Sequence, residues 1–171
     1  MECWRYIPSL LATFVPKRSI MDSWKVEKAK LTEADLIATF QLEMAMESEG
    51  TALNADLVRR GVEEGLKDEQ KGTYYVVKTA EGTTVGSLFL TREWSDWRCA
   101  WYWWIQSVYV RPEYRRKGAY RSLYEQVKRE ARMADVKCLR LYVDRTNQQG
   151  LSTYRALGMT ESHYLLYEED L

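Results

Sequence analysis

The run "WYWWIQSVYVRPEYRRKGAYRSLYEQVKREAR", Trp101 to Arg132, starts as a β-branched and aromatic strand. It then passes through a proline, three consecutive basic residues and a single glycine into a long amphipathic stretch. Pro112 cannot donate to a ladder and stops the strand, while Leu123, Val127 and Ala131 recur at helical spacing behind Gly118. A strand feeding a helix across one glycine turn commits the chain to an α/β architecture. The glycine has two readings. Either it frees outward-facing amides at the positive end of a helix, an anion cradle to which Arg115, Arg116 and Lys117 add charge, or it relieves a solvated basic turn. No GK[ST] follows, so the stretch is not a Walker loop.

Around this unit the pattern predicts further elements. "SWKVEKAK" alternates as a strand, and "LTEADL" opens a helix that runs to Glu49 and ends at Gly50. A second helix spans Asn54 to Lys67, with Leu57, Val58, Val62 and Leu66 on one face. "TYYVVKTA" and "VGSLFLTRE", joined by "EGTT", form a hairpin, and "REWSDWRCAWYWW" reads as an aromatic loop. "CLRLYVD" is a strand, "NQQGLSTYRALG" a helix stopped by Gly158, and "ESHYLLYEE" a closing strand. The order mixes an antiparallel meander with one βαβ crossover.

At 171 residues the chain fits one domain, expected over 22–171, with 1–21 as a disordered or loosely packed arm or a targeting segment. Lys plus Arg and Asp plus Glu each number 25, so nothing global draws the chain to nucleic acid or a membrane. No stretch reaches the roughly 18 apolar residues of a membrane span. Cys3, Cys99 and Cys138 are odd in number, with no CxxC and one histidine. Neither a disulfide framework nor a metal site is expected, and a reducing, cytoplasmic setting is.

The segments "SVYVRPEYRRKGAYRSLYEQV" and "LYVDRTNQQGLSTYRALGM" together resemble the GCN5-related N-acetyltransferase (GNAT) superfamily. Val108 and Val110 fill its strand positions, Arg115 and Gly118 its loop, and Asn147, Tyr154 and Gly158 its later motif. The resemblance implies a mixed, mostly antiparallel central sheet, splayed between the fourth and fifth strands and flanked by helices. It implies acetyl-CoA as co-substrate, with the pyrophosphate on amides of Arg116, Lys117, Gly118, Ala119 and Tyr120, and the pantetheine arm along Val108, Tyr109 and Val110. The chain departs from the family at Tyr120, which stands where a small residue is usual.

The implied reaction is acetyl transfer to the primary amine of a small molecule. The alternatives are a protein- or peptide-acetylating enzyme, or a CoA-binding sensor without turnover. Attack on a thioester needs a neutral amine, donors to the oxyanion and a proton for the thiolate. The resemblance assigns the oxyanion to the Val108 N–H and the proton to Tyr154, whose other reading is a packing aromatic. Asn147 either holds the cofactor arm or starts the helix. "WYWWIQSVYV" has no ionisable acid, and Gln106 can only orient a water. Glu43 and Glu47, at i, i+4, are therefore base candidates or else a solvated acidic face. Five of the seven tryptophans, Trp94, Trp97, Trp101, Trp103 and Trp104, cluster with Glu93 and Asp96. Trp94, Asp96, Trp97, Trp104 and Gln106 are expected to hold an ammonium through cation–π contact; core packing or a homodimer surface are the other uses of this aromatic wall.

Overall fold

The computed structural model describes residues 24–171; the expected arm at 1–21 lies outside them. Five strands form one sheet in the order β1 (Lys25–Lys28), β2 (Thr73–Lys78), β3 (Thr84–Ser95), β4 (Ala100–Val110) and β5 (Cys138–Arg140). The first four are antiparallel neighbours, and β5 joins β4 in parallel. The parallel pair needs a crossover, which α3 (Ala119–Met133) supplies. α1 (Ala34–Glu49) and α2 (Ala55–Lys67) precede the meander, and α4 (Gln148–Ala156) follows β5.

Strand alternation sorts the core into two layers. Tyr75, Val77, Leu88, Leu90, Trp103 and Ile105 meet Leu123, Val127 and Ala131 of α3. Tyr74, Val76 and Phe89 instead meet Ile37, Ala38 and Val62 of α1 and α2. Leu88, Leu123 and Val127 are wholly buried, and each contributes about 1.5–3 kcal/mol through burial.

Two irregularities shape β4. Ser87 faces Tyr109 but Phe89 faces Gln106, so two β4 residues, Ser107 and Val108, oppose one on β3, Leu88. This bulge falls at Ser107, which adopts a left-handed φ of 49°. It puts both Gln106 and Tyr109 on the α1–α2 face, while Val108 packs with the α3 layer. β3 approaches closely beside it: a Cβ on Gly86 would lie 2.6 Å from the Tyr109 carbonyl oxygen. The second irregularity is an early end to pairing. β5 stops at the Trp104–Arg140 pair, whereas β4 runs on to Val110 with its far edge open. The sheet is therefore splayed between the fourth and fifth strands, as the resemblance implies.

Three expected elements differ. "CLRLYVD" contributes only Cys138–Arg140 as strand. The closing strand "ESHYLLYEE" does not form: Tyr164, Leu165, Leu166 and Tyr167 are exposed, so β propensity there has no partner edge or apolar face to act on. The aromatic "loop" is instead mostly paired strand. Thr91 to Ser95 faces Ala100 to Trp104, leaving 96–99 as the turn. β2 stops pairing at Leu90, so this part of the hairpin overhangs the sheet.

Candidate active site

The basic turn after β4 is fixed from three sides. Arg111 N–H donates to the Val85 carbonyl at 2.9 Å, Trp24 Nε1 donates to the Lys117 carbonyl at 2.9 Å, and Trp24 meets Tyr114 edge to face. Gly118 caps α3 with φ of 90°, a conformation that L side chains rarely adopt. A Cβ there would meet only Trp24 Nε1, at 3.7 Å, so backbone conformation rather than space calls for glycine. The turn-to-helix hydrogen bonding resumes with Ser122 N–H to the Gly118 carbonyl. Ala119, Tyr120 and Arg121 thus present the free amides of a helix start. This is the geometry of an anion cradle, with the helix dipole behind it.

The three cations of the turn are not equivalent. Arg115 donates through Nε to the Val110 carbonyl at 2.7 Å, stacks over Tyr109, and makes a two-pronged pair with Glu47. Its role is to tie the turn to α1. Arg116 and Lys117 carry no ion pair among the described residues, and Lys117 Nζ lies over the Tyr114 ring. Their charge is free to face a ligand.

Glu47 and Glu43 occupy different situations. Hydrogen bonding from Arg115 holds the Glu47 carboxyl below its ordinary range despite some burial. The Tyr109 hydroxyl has its pKa pushed up to about 12, first by burial and then by the neighbouring Glu43 carboxylate. Tyr109 itself is buried against Phe40, with ring centroids 5.3 Å apart. Its backbone faces the splay while its side chain anchors α1.

Tyr154 projects from α4 onto the start of α3, where its ring meets that of Tyr120. Burial raises its pKa and keeps its proton at neutral pH. Tyr120, the departure from the family pattern, turns its ring inward rather than across the amides, and its hydroxyl is buried without a partner. Asn147 caps α4, its Oδ1 accepting from Gly150 N–H at 2.8 Å.

The residues expected to hold an ammonium separate. Trp104 and Gln106 share the α1–α2 face with Thr91 and Glu93; Gln106 Nε2 donates to Thr91 Oγ1 at 2.6 Å. Trp94 lies on the opposite face, edge to face with Trp101, while Asp96 and Trp97 form the exposed hairpin tip. Sequence reasoning missed Arg140, which joins Glu93 and Trp104, because no local pattern links positions 47 residues apart. It also missed Trp24 as a support of the basic turn.

A family model described as the acetyltransferase (GNAT) family matches residues 37–159. The chain belongs to the GNAT family. Among solved structures, it is 37% identical to a possible acetyltransferase from Clostridium difficile 630, with TM-score 0.81, over 87% of this chain and 98% of that one. A ribosomal-protein-alanine N-acetyltransferase from Brucella melitensis biovar Abortus 2308 shares the fold at 15% identity and TM-score 0.72, over 87% and 99%. An aminoglycoside acetyltransferase from an uncultured soil metagenomic sample does so at 17% and 0.65, over 87% and 99%. No curated protein matches the chain.

Proposed function

We propose that the chain is a cytoplasmic N-acetyltransferase that moves an acetyl group from acetyl-CoA to the primary amine of a small molecule. The observation that carries this reading is the open β4 edge, residues 105–110, leading directly to the free amides of α3. Six residues at about 3.3 Å each give an edge of roughly 20 Å along which an extended arm can pair. Acetyl-CoA supplies an activated thioester. The chain supplies phosphate donors at Arg116 to Tyr120, with Arg116 and Lys117 as counter-charge, and backbone pairing partners at Val108, Tyr109 and Val110.

At the reacting end, Arg111 N–H donates to β3, so alternation back along the strand turns the Val108 amide toward the open edge, which suits it to an oxyanion. Tyr154, kept protonated by burial, donates to the departing thiolate. Asn147 keeps its Nδ2 for the arm while Oδ1 caps α4. The amine enters from the α1–α2 face, opposite α3, past Gln106 and Trp104. For the remote base, Glu43 is favoured over Glu47, whose two oxygens are engaged by Arg115. Release of thiol from acetyl-CoA across an amine panel tests the proposal. Amine-dependent release with an acetylated product supports it; ligand binding without release with any amine or peptide leaves a sensor, and release with peptides alone leaves a protein-acetylating enzyme.

A further inference from the structure

The overhanging hairpin carries an aromatic cage that the chain fills with its own cation. Arg140 lays its guanidinium over Tyr102 at 4.4 Å and over Trp104 at 5.6 Å. Its NH1 donates to both Glu93 oxygens at 3.1 Å, and Trp104 Nε1 also donates to Glu93. Tyr142 tilts against Trp104, with ring centroids 6.4 Å apart. An aromatic wall with a carboxylate would suit a substrate ammonium, but Arg140 already holds that place. What the cluster offers outward is the opposite chemistry.

Among the described residues, both side-chain hydrogen bonds of Arg140 come from NH1; its Nε and NH2 meet no acceptor. A guanidinium fixed by two rings and a carboxylate presents those N–H groups as a rigid, planar fork, the geometry that binds a carboxylate in two-pronged fashion. Glu93 cancels the net charge, so selection works through the shape of the fork rather than through general attraction of anions. The side chains of Arg140 and Glu93 are 30% and 40% exposed, which leaves the fork accessible. By register, Arg140, Trp104 and Gln106 share the face from which the amine enters.

We propose that Arg140 determines acceptor specificity by binding a carboxylate on the amine acceptor. This rests on the acetyltransferase reading above. From Trp104, the partner of Arg140, to Val108 is four residues, about 13 Å of strand. The guanidinium lies back over Tyr102, away from Val108. Less a contact distance of about 3 Å at each end, a span of about 13 Å or more leaves the acceptor's amine and carboxylate on the order of 10 Å apart, too far for an α-amino acid. An ω-amino acid or a short peptide provides that span.

The test compares glycine, ω-aminohexanoate, ω-aminooctanoate and a tripeptide, each against its own carboxamide, using the full chain and acetyl-CoA. The wild type is expected to prefer the longer carboxylates about tenfold or more in kcat/KM, mainly through KM, with no preference for glycine over glycinamide. Arg140→Gln erases that preference, and Arg140→Lys, which keeps charge without the fork, restores little of it. Calorimetric binding of ω-aminooctanoate in the presence of CoA reads recognition independently of turnover. Binding that depends on Arg140 without any turnover sinks the enzyme reading alone. Turnover with equal use of acid and amide, a preference that survives Arg140→Gln, or no Arg140-dependent binding overturns the present inference. A preference seen only with the tripeptide assigns the carboxylate to a peptide.

Discussion

The rings of Tyr120 and Tyr154 meet edge to face, with centroids 6.0 Å apart and planes at 75°. The contact joins the first turn of α3, where the cradle amides lie, to the α4 side chain proposed as proton donor. Tyr154→Phe retains the ring contact and removes only the hydroxyl. Its single-turnover rate is expected to fall about a hundredfold or more, the range of general acid catalysis, with acetyl-CoA affinity nearly unchanged. A wild-type rate would return Tyr154 to packing.

Tyr120 buries its hydroxyl without a hydrogen-bond partner. Such a group costs roughly 1–3 kcal/mol. Tyr120→Phe should therefore raise stability by about 1 kcal/mol, visible in denaturant unfolding of the ligand-free protein. Loss of stability would mean that the hydroxyl has an acceptor in solution.

Arg115 and Glu47 link the basic turn to α1 with side chains 25% and 51% exposed, so solvent screens much of the pair. A double-mutant cycle with Arg115→Ala and Glu47→Ala should give about 0.5–1 kcal/mol of coupling at neutral pH. The folded carboxyl sits below its ordinary value of 4.5. The unfolded state therefore takes up protons first as pH falls, and the contribution, complete above that value, disappears as pH drops through the folded one. Coupling that persists undiminished to about pH 3 would contradict the assignment.

At Gly118 the φ of 90°, not crowding, is the constraint. Gly118→Ala should cost about 1–2 kcal/mol and sharply reduce the thermal shift produced by acetyl-CoA. Gly118→Asn, which tolerates left-handed backbone, should retain more of that shift. Equal shifts in all three proteins would remove the cradle from the account.

Local pattern made much of this legible. Pro112, Gly118 and the α3 stripe at Leu123, Val127 and Ala131 fixed the strand-turn-helix unit, and Gly50 and Asn54 marked helix ends that the structure has. Features that depend on distant partners were not legible. Ser107 carries positive φ without being glycine because β3 and β4 differ by one residue across the bulge. The Arg115–Glu47 and Arg140–Glu93 pairs join residues 68 and 47 positions apart, and neither leaves a local trace. "ESHYLLYEE" has strand composition, but composition cannot supply a partner edge.

Backbone amide hydrogen exchange with and without acetyl-CoA addresses the central claim, because it reads the N–H groups assigned to the co-substrate. The account predicts new protection concentrated at 105–110, on the open edge of β4, and at 116–121, at the start of α3, with both effects lost in Gly118→Val. Protection elsewhere, or none at saturating acetyl-CoA, would contradict it.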